Sequence, residues 1–542
     1  MSFLNLISLI GILGLCAIAW LCSENRQPQY FPWRTVIVGL LIQAVLGLLV
    51  FVIPGTQTVF QVIGTLFNGL FEAADAGARF IFGKNLVPIP GQEPFLLTPL
   101  TPGASGCAPD TAGQIVPGFC AIGMGYIYAF RAFPSVIFLT GLTALFYRLG
   151  VIQAVVDGLA KGFYRVMGLS GAEALSGITN IFVSIEALIA IKLYLARMTR
   201  SELCAVMACA FGTAASAALP SYASFLKPLF PNVMAHLAAA SIMAIPACFL
   251  LAKILVPETE VPQTVPKALS RNDTDLELAI DDKSWSETEW LDKATAKQIS
   301  PVEATIAGTL EGLKIVGSIV AVVILTLGVV YFIVQGLGWL ATLPDPIGGW
   351  FKVLTLQNLL GVLFLPFTVL TGISLSWQEL WQSSMLVGRR LFETAVFPYQ
   401  SLAAAASIAE PARLIEDRAV LILTYTLAGF ANLAFWGVLV GGTIALAPSR
   451  RRDVIELSGR ALLAGTLATL MVGSFVGLYD GMFGTNAART LGKPDAPPAA
   501  KPVPSSLLPP MPPAPIQIAP PLTTQIPATQ TFTTQTPNIP VV

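Results

Sequence analysis

Long apolar runs dominate this chain. They lie near residues 3–22, 35–54, 125–148, 203–222, 234–256, 310–338, 352–371, 419–447 and 460–480. A segment of about 20 mostly apolar residues is what crosses a hydrocarbon core, and only structures that satisfy their own backbone hydrogen bonds survive there. So many runs specify an all-α polytopic membrane protein. Composition agrees, with only 11% charged residues against roughly 25% in an ordinary soluble domain. A formal net charge of zero leaves no basic footprint for nucleic acid.

Catalytic and metal chemistry have little material. Seven cysteines show no metal-ligand spacing, and the one histidine, His236, reads as an interfacial residue at the start of an apolar segment. No paired catalytic motif stands out, so the chain does not read as an enzyme, and no cofactor is implied. Cys107 and Cys120 bracket a polar loop, where a disulfide is an option if the loop faces outside the cytoplasm.

Composition shifts divide the chain. Residues 1–57 hold the amino-terminal spans; the first run continues into CSENRQPQYFPWR and reads as a retained helix rather than a signal peptide. Residues 58–123 comprise an amphipathic interfacial helix (58–83) and a Pro- and Gly-rich loop (84–122). A first core repeat covers 124–256, a polar acidic linker 257–302, and a second core repeat 303–480. Residues 481–542 end in a Pro/Thr/Gln-rich tail too poor in apolar residues to pack, and expected to be disordered. Arginines and lysines cluster between the first two spans, around the third and fourth, and between the last two. These clusters share one side if both termini face outward, which suits a multi-pass protein of the cell membrane, the inner membrane in a bacterium.

Two segments break the pattern of clean spans. Residues 165–200 and 373–412 carry acids amid apolar residues, and each precedes a span spotted with small and polar residues, AVMACAFGTAASAALPSY and TYTLAGFANLAFWGVLVGG. Interrupted segments at matching positions of two halves point to the binding site of a secondary transporter. Glu186, in NIFVSIEALIAIK, is a carboxylate in an apolar stretch, and a charge at a bilayer centre costs at least about 2.5–3.5 kcal/mol.

On these residues the chain resembles the concentrative nucleoside transporters. GAEALSGITNIFVSIEALIAIKLYLARMTRSELCAVMACAFGTAASAALPSYASFL is similar to their first hairpin and the broken helix after it. TYTLAGFANLAFWGVLVGG, with the segment that follows it, is similar to their second broken helix and last span. The likeness extends more loosely from about residue 5 to 480, outside the linker and tail. It implies an ion-coupled symporter, usually a homotrimer, with eight transmembrane helices, interfacial helices and two re-entrant hairpins in an inverted repeat. Position by position, it implies a sodium site made by Asn180, the carbonyls of Val183 and Ala214, and the Thr213 hydroxyl. Oxygen ligands of these kinds suit a small hard cation. The alternatives are that Asn180 caps a half-helix and that Thr213 bonds to its own backbone.

The substrate motifs depart from the family. Members usually carry Gly-Gln-Ser/Thr-Glu at the first tip; here Ser184, Ile185 and Glu186 follow NIFV. At the second tip Glu379 is the nearest carboxylate, and Trp377 lies where the family has its acid. Glu393, in RRLFETAVFPY, stands for the family's Asn-Glu-Phe run. Asn432 survives in GFAN, but the serine three residues on is Phe435, followed by Trp436. Hydrogen-bonding groups give way to aromatic ones, which implies a nucleoside-like solute contacted differently, unless the aromatics are core packing. Arg389 and Arg390 offer an ion pair to Glu393 at helical spacing. The expectation is a sodium-coupled nucleoside symporter. Proton coupling through Glu186 and a non-transporting sensor on the same fold are the alternatives.

Overall fold

The computed structural model describes residues 3–52, 69–70, 72–83, 86–87, 96–97, 120–121, 128–151, 162–163, 165–180, 187–188, 191–214, 219–227, 229–262, 300–344, 349–351, 354–407, 414–482 and 487–491. Val183, Ser184, Glu186 and Cys107 lie outside them, as does the acidic linker except at its ends.

The architecture is helical, apart from one antiparallel pairing of Leu96–Leu97 with Cys120–Ala121. The helices are α1 (Phe3–Leu21), α2 (Trp33–Phe51), α3 (Tyr128–Arg148), α4 (Gly171–Thr179), α5 (Lys192–Leu195), α6 (Arg200–Gly212), α7 (Leu219–Leu226) and α8 (Val233–Leu255). There follow α9 (Pro301–Leu340), α10 (Leu356–Leu370), α11 (Trp377–Phe392), α12 (Val396–Ala406), α13 (Asp417–Thr426), α14 (Leu433–Leu446) and α15 (Arg451–Tyr479). Among the described residues, α1, α2, α8 and the stretch Pro448–Tyr479 are by themselves long and apolar enough to cross a membrane. Outward faces such as Leu13 on α1 and Phe332 on α9 are left bare, as a lipid-facing surface requires.

Two expected spans are broken. The run read as 203–222 ends its first helix at Gly212, where Thr213 turns to extended backbone (φ −100°, ψ 160°), and α7 starts again at Leu219. The run read as 419–447 stops at Thr426 and resumes after Asn432, whose side chain accepts the Phe435 N–H at 2.8 Å and caps α14. The run read as 310–338 is part of α9, a helix of 40 residues. At 1.5 Å per residue it is about 60 Å long, well beyond one hydrocarbon thickness.

The long helix α15 organises these pieces. Arg200, at the start of α6, pairs with Asp453 (2.8 Å) and Glu456 (3.1 Å), near the start of α15. The other end of α6 reaches the middle of α15: a Cβ added at Gly465 would lie 2.5 Å from the Phe211 Cβ and 3.0 Å from the Gly212 nitrogen. The second half-helix, α13, runs the other way. Arg418, at its start, pairs with Asp480 at 2.7 Å and donates to the Gly477 carbonyl at 2.9 Å, at the far end of α15. The break beyond α13 comes back to Thr469. The two half-helices therefore enter from opposite ends of one span and stop about two turns of it apart, beside Gly465 and Gly473, with the break beyond α13 closing the gap at Thr469, which is an inverted repeat.

The hairpins precede the broken helices in the same order. In the first, α4 and α5 frame the sequence-predicted tip. In the second, α11 and α12 are joined through Glu393, Thr394 and Ala395. Capping boxes fix the starts of α4 (Ser170 with Glu173) and α6 (Thr199 with Glu202), each cap contributing about 1 kcal/mol.

Candidate functional site

The two breaks touch. A Cβ on Gly429 would lie 2.7 Å from the Gly212 carbonyl oxygen, 3.0 Å from that of Phe211 and 2.6 Å from the Thr469 methyl. Only a residue without a side chain allows this approach. Aromatic rings close the junction: Phe435, at the start of α14, meets Phe211 edge-on at 5.8 Å and Phe430 at 5.2 Å. Tyr222 of α7 stacks on Tyr399 of α12 at 4.8 Å, and the Tyr399 hydroxyl donates to the Thr424 carbonyl at 2.6 Å. The second half of each broken span thus packs on the opposite repeat.

Three of the residues expected to bind a cation arrive at one level of α8. Lys253, near the carboxyl end of α8, pairs with Glu173 at 2.6 Å, and a Cβ on Gly177 would meet Phe249. These contacts run α4 antiparallel along α8, so Asn180 ends beside its middle. From the other side, Gly212 packs on the Cys248 sulfur, and the Ser241 hydroxyl holds Ala214 by accepting its N–H at 3.3 Å and donating to its carbonyl at 3.2 Å. Asn180, Thr213 and Ala214 are all buried.

Their hydrogen bonding is incomplete. The Asn180 amide donates to the Ser176 carbonyl at 2.9 Å, while among the described residues its buried Oδ1 has no donor and the Ser176 hydroxyl no partner. Thr213 donates to the Cys209 carbonyl at 2.7 Å, which leaves its oxygen lone pairs available. A buried acceptor without a donor costs about 1–3 kcal/mol, and a bound cation removes that penalty. The donor set of amide, hydroxyl and carbonyl oxygens fits a hard monovalent ion. Both local readings also hold, since Asn180 is the C-cap of α4 and Thr213 bonds to its own helix. Among the described residues no group of His, Cys, Asp and Glu is placed to hold a metal.

The expected substrate residues separate. Glu379 sits in the first turn of α11 and accepts the Glu416 N–H at 2.8 Å, holding the entry to α13. Glu393 ends the same helix, so by α-helical rise the two stand about 20 Å apart. Only Glu393 lies at the end of α11 that turns towards the breaks. Its carboxylate pairs with Arg389 at 2.9 Å, and Arg389 also donates to the Ser401 hydroxyl at 3.1 Å. Asn432 is buried and spends its side-chain oxygen on the α14 cap. Trp436 keeps a buried indole N–H with no acceptor among the described residues. Trp377 and Trp381 stack at 6.0 Å at the Glu379 end, away from this junction.

Sequence reasoning missed several participants. His236 is not an interfacial bystander: its Nδ1 lies 2.7 Å from the Tyr425 hydroxyl, between Phe51 and Phe230. Ser241 and Ser176 carried no motif. Arg390 was visible only as one of two arginines offered to Glu393, whereas its acceptors lie 36 and 79 residues away.

Comparison with known proteins agrees with this arrangement. Residues 236–477 match the family model described as "Na+ dependent nucleoside transporter C-terminus", residues 10–85 the matching N-terminus, and residues 129–229 a model described as "Nucleoside recognition". An uncharacterized transporter of Haemophilus influenzae is 29% identical over 480 residues, covering 88% of this chain and 98% of that one. The putative nucleoside permease NupX of Escherichia coli is 27% identical, with 88% and 99% covered. The solved structure of CNTnw in an inward-facing substrate-bound state superposes with a TM-score of 0.70 at 30% identity, covering 89% of this chain and 100% of that one. The chain belongs to the concentrative nucleoside transporter family, and is a polytopic membrane transporter rather than an enzyme.

Proposed function

We propose that this chain imports a nucleoside or nucleoside-like solute by symport with sodium, working as a homotrimer in the cell membrane with both termini outside. The observation that carries this reading is the buried Asn180 Oδ1 beside the first break, which has no donor among the described residues. A cation bound by Asn180, Thr213 and the carbonyls of Ala214 and Val183 completes that oxygen's coordination. It also sits at the carboxyl end of α6, where the helix dipole favours positive charge. Binding there links the first hairpin to the broken helix, and the solute then meets the junction of the two repeats.

The solute contacts we assign are Ser184 and Glu186 at the first tip, Glu393 at the second, and Asn432 with Phe435 at the start of α14. Glu379 is not among them, since its carboxylate accepts the Glu416 N–H at the opposite end of α11. Phe435, Phe211 and Phe430 form an aromatic surface suited to a planar base. Glu393 enters as a pair with Arg389 rather than as a free carboxylate.

Uptake of a nucleoside panel into proteoliposomes, with a sodium gradient at fixed pH, tests this. Stimulation by sodium that disappears in Asn180→Ala is the expected result. Uptake driven by a proton gradient alone, with Asn180→Ala behaving as wild type, refutes the sodium assignment.

A further inference from the structure

Arg390 is among the largest fully buried side chains of the molecule, at 1% exposure. No described carboxylate pairs with it. Its guanidinium donates to the Thr426 carbonyl, in the last turn of α13, and to the Thr469 hydroxyl of α15 at 3.0 Å. Thr469 also packs on Gly429, which touches Gly212 at the end of α6. A permanent charge is therefore buried beside the meeting point of the two breaks, held by oxygen acceptors alone.

The inverted repeat gives this position a meaning. In the first repeat, α4 ends at Asn180, α6 ends at Gly212 with its last-turn carbonyls beyond the helix's own ladder, and Asn180 and Thr213 contribute side-chain acceptors. In the second repeat, α11 takes the place of α4 and α13 that of α6. There the end of α11 contributes Arg390, whose donors meet the last-turn acceptors of α13. Both half-helices direct the negative ends of their dipoles to the middle of α15, beside Gly465 and Gly473 on either side of Thr469. One end lacks a positive charge within the described residues, and the other has one covalently attached.

We propose that Arg390 is a tethered counter-cation, holding at the second break the place that a free coupling ion holds at the first, so that each protomer couples through one mobile cation site. This deepens the sodium reading given above and rests on it for the first break only. Arg390 is a positioning residue: it fixes the end of α13 against α11 and α15, so the second break is set before any ion arrives.

The test uses the full-length protein in proteoliposomes, with the best-transported nucleoside as probe. Arg390→Lys keeps the charge and should retain most uptake. Arg390→Gln keeps hydrogen bonding without charge and should lose about tenfold or more, as charge-assisted bonds are roughly twice as strong as neutral ones. In Arg390→Ala, added guanidinium ion should restore uptake, and urea, its neutral analogue, should not. The wild-type sodium curve should show a Hill coefficient near one.

Wild-type uptake by Arg390→Gln, equal rescue by urea, no rescue by either solute, or a wild-type coefficient near two would overturn the proposal. So would failure of the Gln and Ala variants to accumulate in the membrane, which makes the arginine a folding residue. Loss of sodium stimulation in wild type would sink the sodium reading instead, because the guanidinium rescue reads the second break whatever ion serves the first.

Discussion

Substituting Gly465 by alanine perturbs the crossing of α6 and α15 at one defined point. The added Cβ would lie 2.5 Å from the Phe211 Cβ and 3.0 Å from the Gly212 nitrogen. Carbon atoms settle at about 3.5–4.0 Å, so α6 must retreat by roughly 1 Å. Overpacking of this size destabilises by about 1–3 kcal/mol. It also displaces Thr213 and Ala214, the residues that follow Gly212. Misplacement of a positioned group by 1 Å can cost up to about 100-fold, so a rise of about tenfold or more in the half-saturating sodium concentration is expected. Gly459→Ala on the same helix is the control, since its Cβ meets nothing within 4 Å and alanine favours the helix by about 1 kcal/mol. The assay is the sodium dependence of uptake in proteoliposomes, with melting of both purified variants in detergent. Equal sodium curves for the two variants would refute a cation site built on the end of α6.

Further expectations follow from individual contacts. Lys253→Met leaves Glu173 buried without its partner at 2.6 Å and should destabilise by about 3–5 kcal/mol. Detergent melting reads this, and Glu173→Gln in the same chain should return part of the loss. Thr213→Ser keeps the hydroxyl and should leave the sodium dependence near wild type, whereas Thr213→Val should raise the half-saturating concentration; identical curves would remove Thr213 from the site. Asn432→Ala removes the cap on the Phe435 N–H and should cost about 1 kcal/mol of stability. Asn432→Asp restores the cap, so a solute KM that recovers with Asp would show that Asn432 acts through helix placement rather than contact.

The sequence disclosed the breaks better than their partners. GTAAS from Gly212 onward and AGFAN after Leu427 interrupt apolar runs with small and polar residues, a local signal that needs no tertiary knowledge. The i, i+4 spacing likewise foresaw the pair of Glu393 with one of the two arginines, and the structure gives that role to Arg389. Arg390, its neighbour, was illegible because both acceptors are remote in sequence and neutral, so no charge pattern marks them. Motif proximity likewise says nothing about which end of a 16-residue helix, that of Glu379 or that of Glu393, faces the junction. His236 was misjudged because its partner Tyr425 comes from the other repeat. The 40 residues of α9 exceeded the apolar run because Glu303, Glu311 and Lys314 conceal its helical start from a hydropathy reading.

The arginine clamps at the outer ends of the half-helices have a mechanical consequence. Arg200 fastens α6 to Glu24 and to Asp453, and Arg418 fastens α13 to Asp480; Arg390 also holds the inner end of α13, whereas the inner end of α6 carries no such clamp among the described residues. The first half-helix, α6, is then a lever with its fulcrum at the Arg200 end and its tip at the break. For the 13 residues of α6 the arm is about 20 Å, so a tilt of about 3° sweeps the tip through about 1 Å, enough to make or break an ion's coordination. Very little rocking at the rim is amplified at the centre, and spin labels placed along α6 should register displacement that grows from Arg200 towards Gly212.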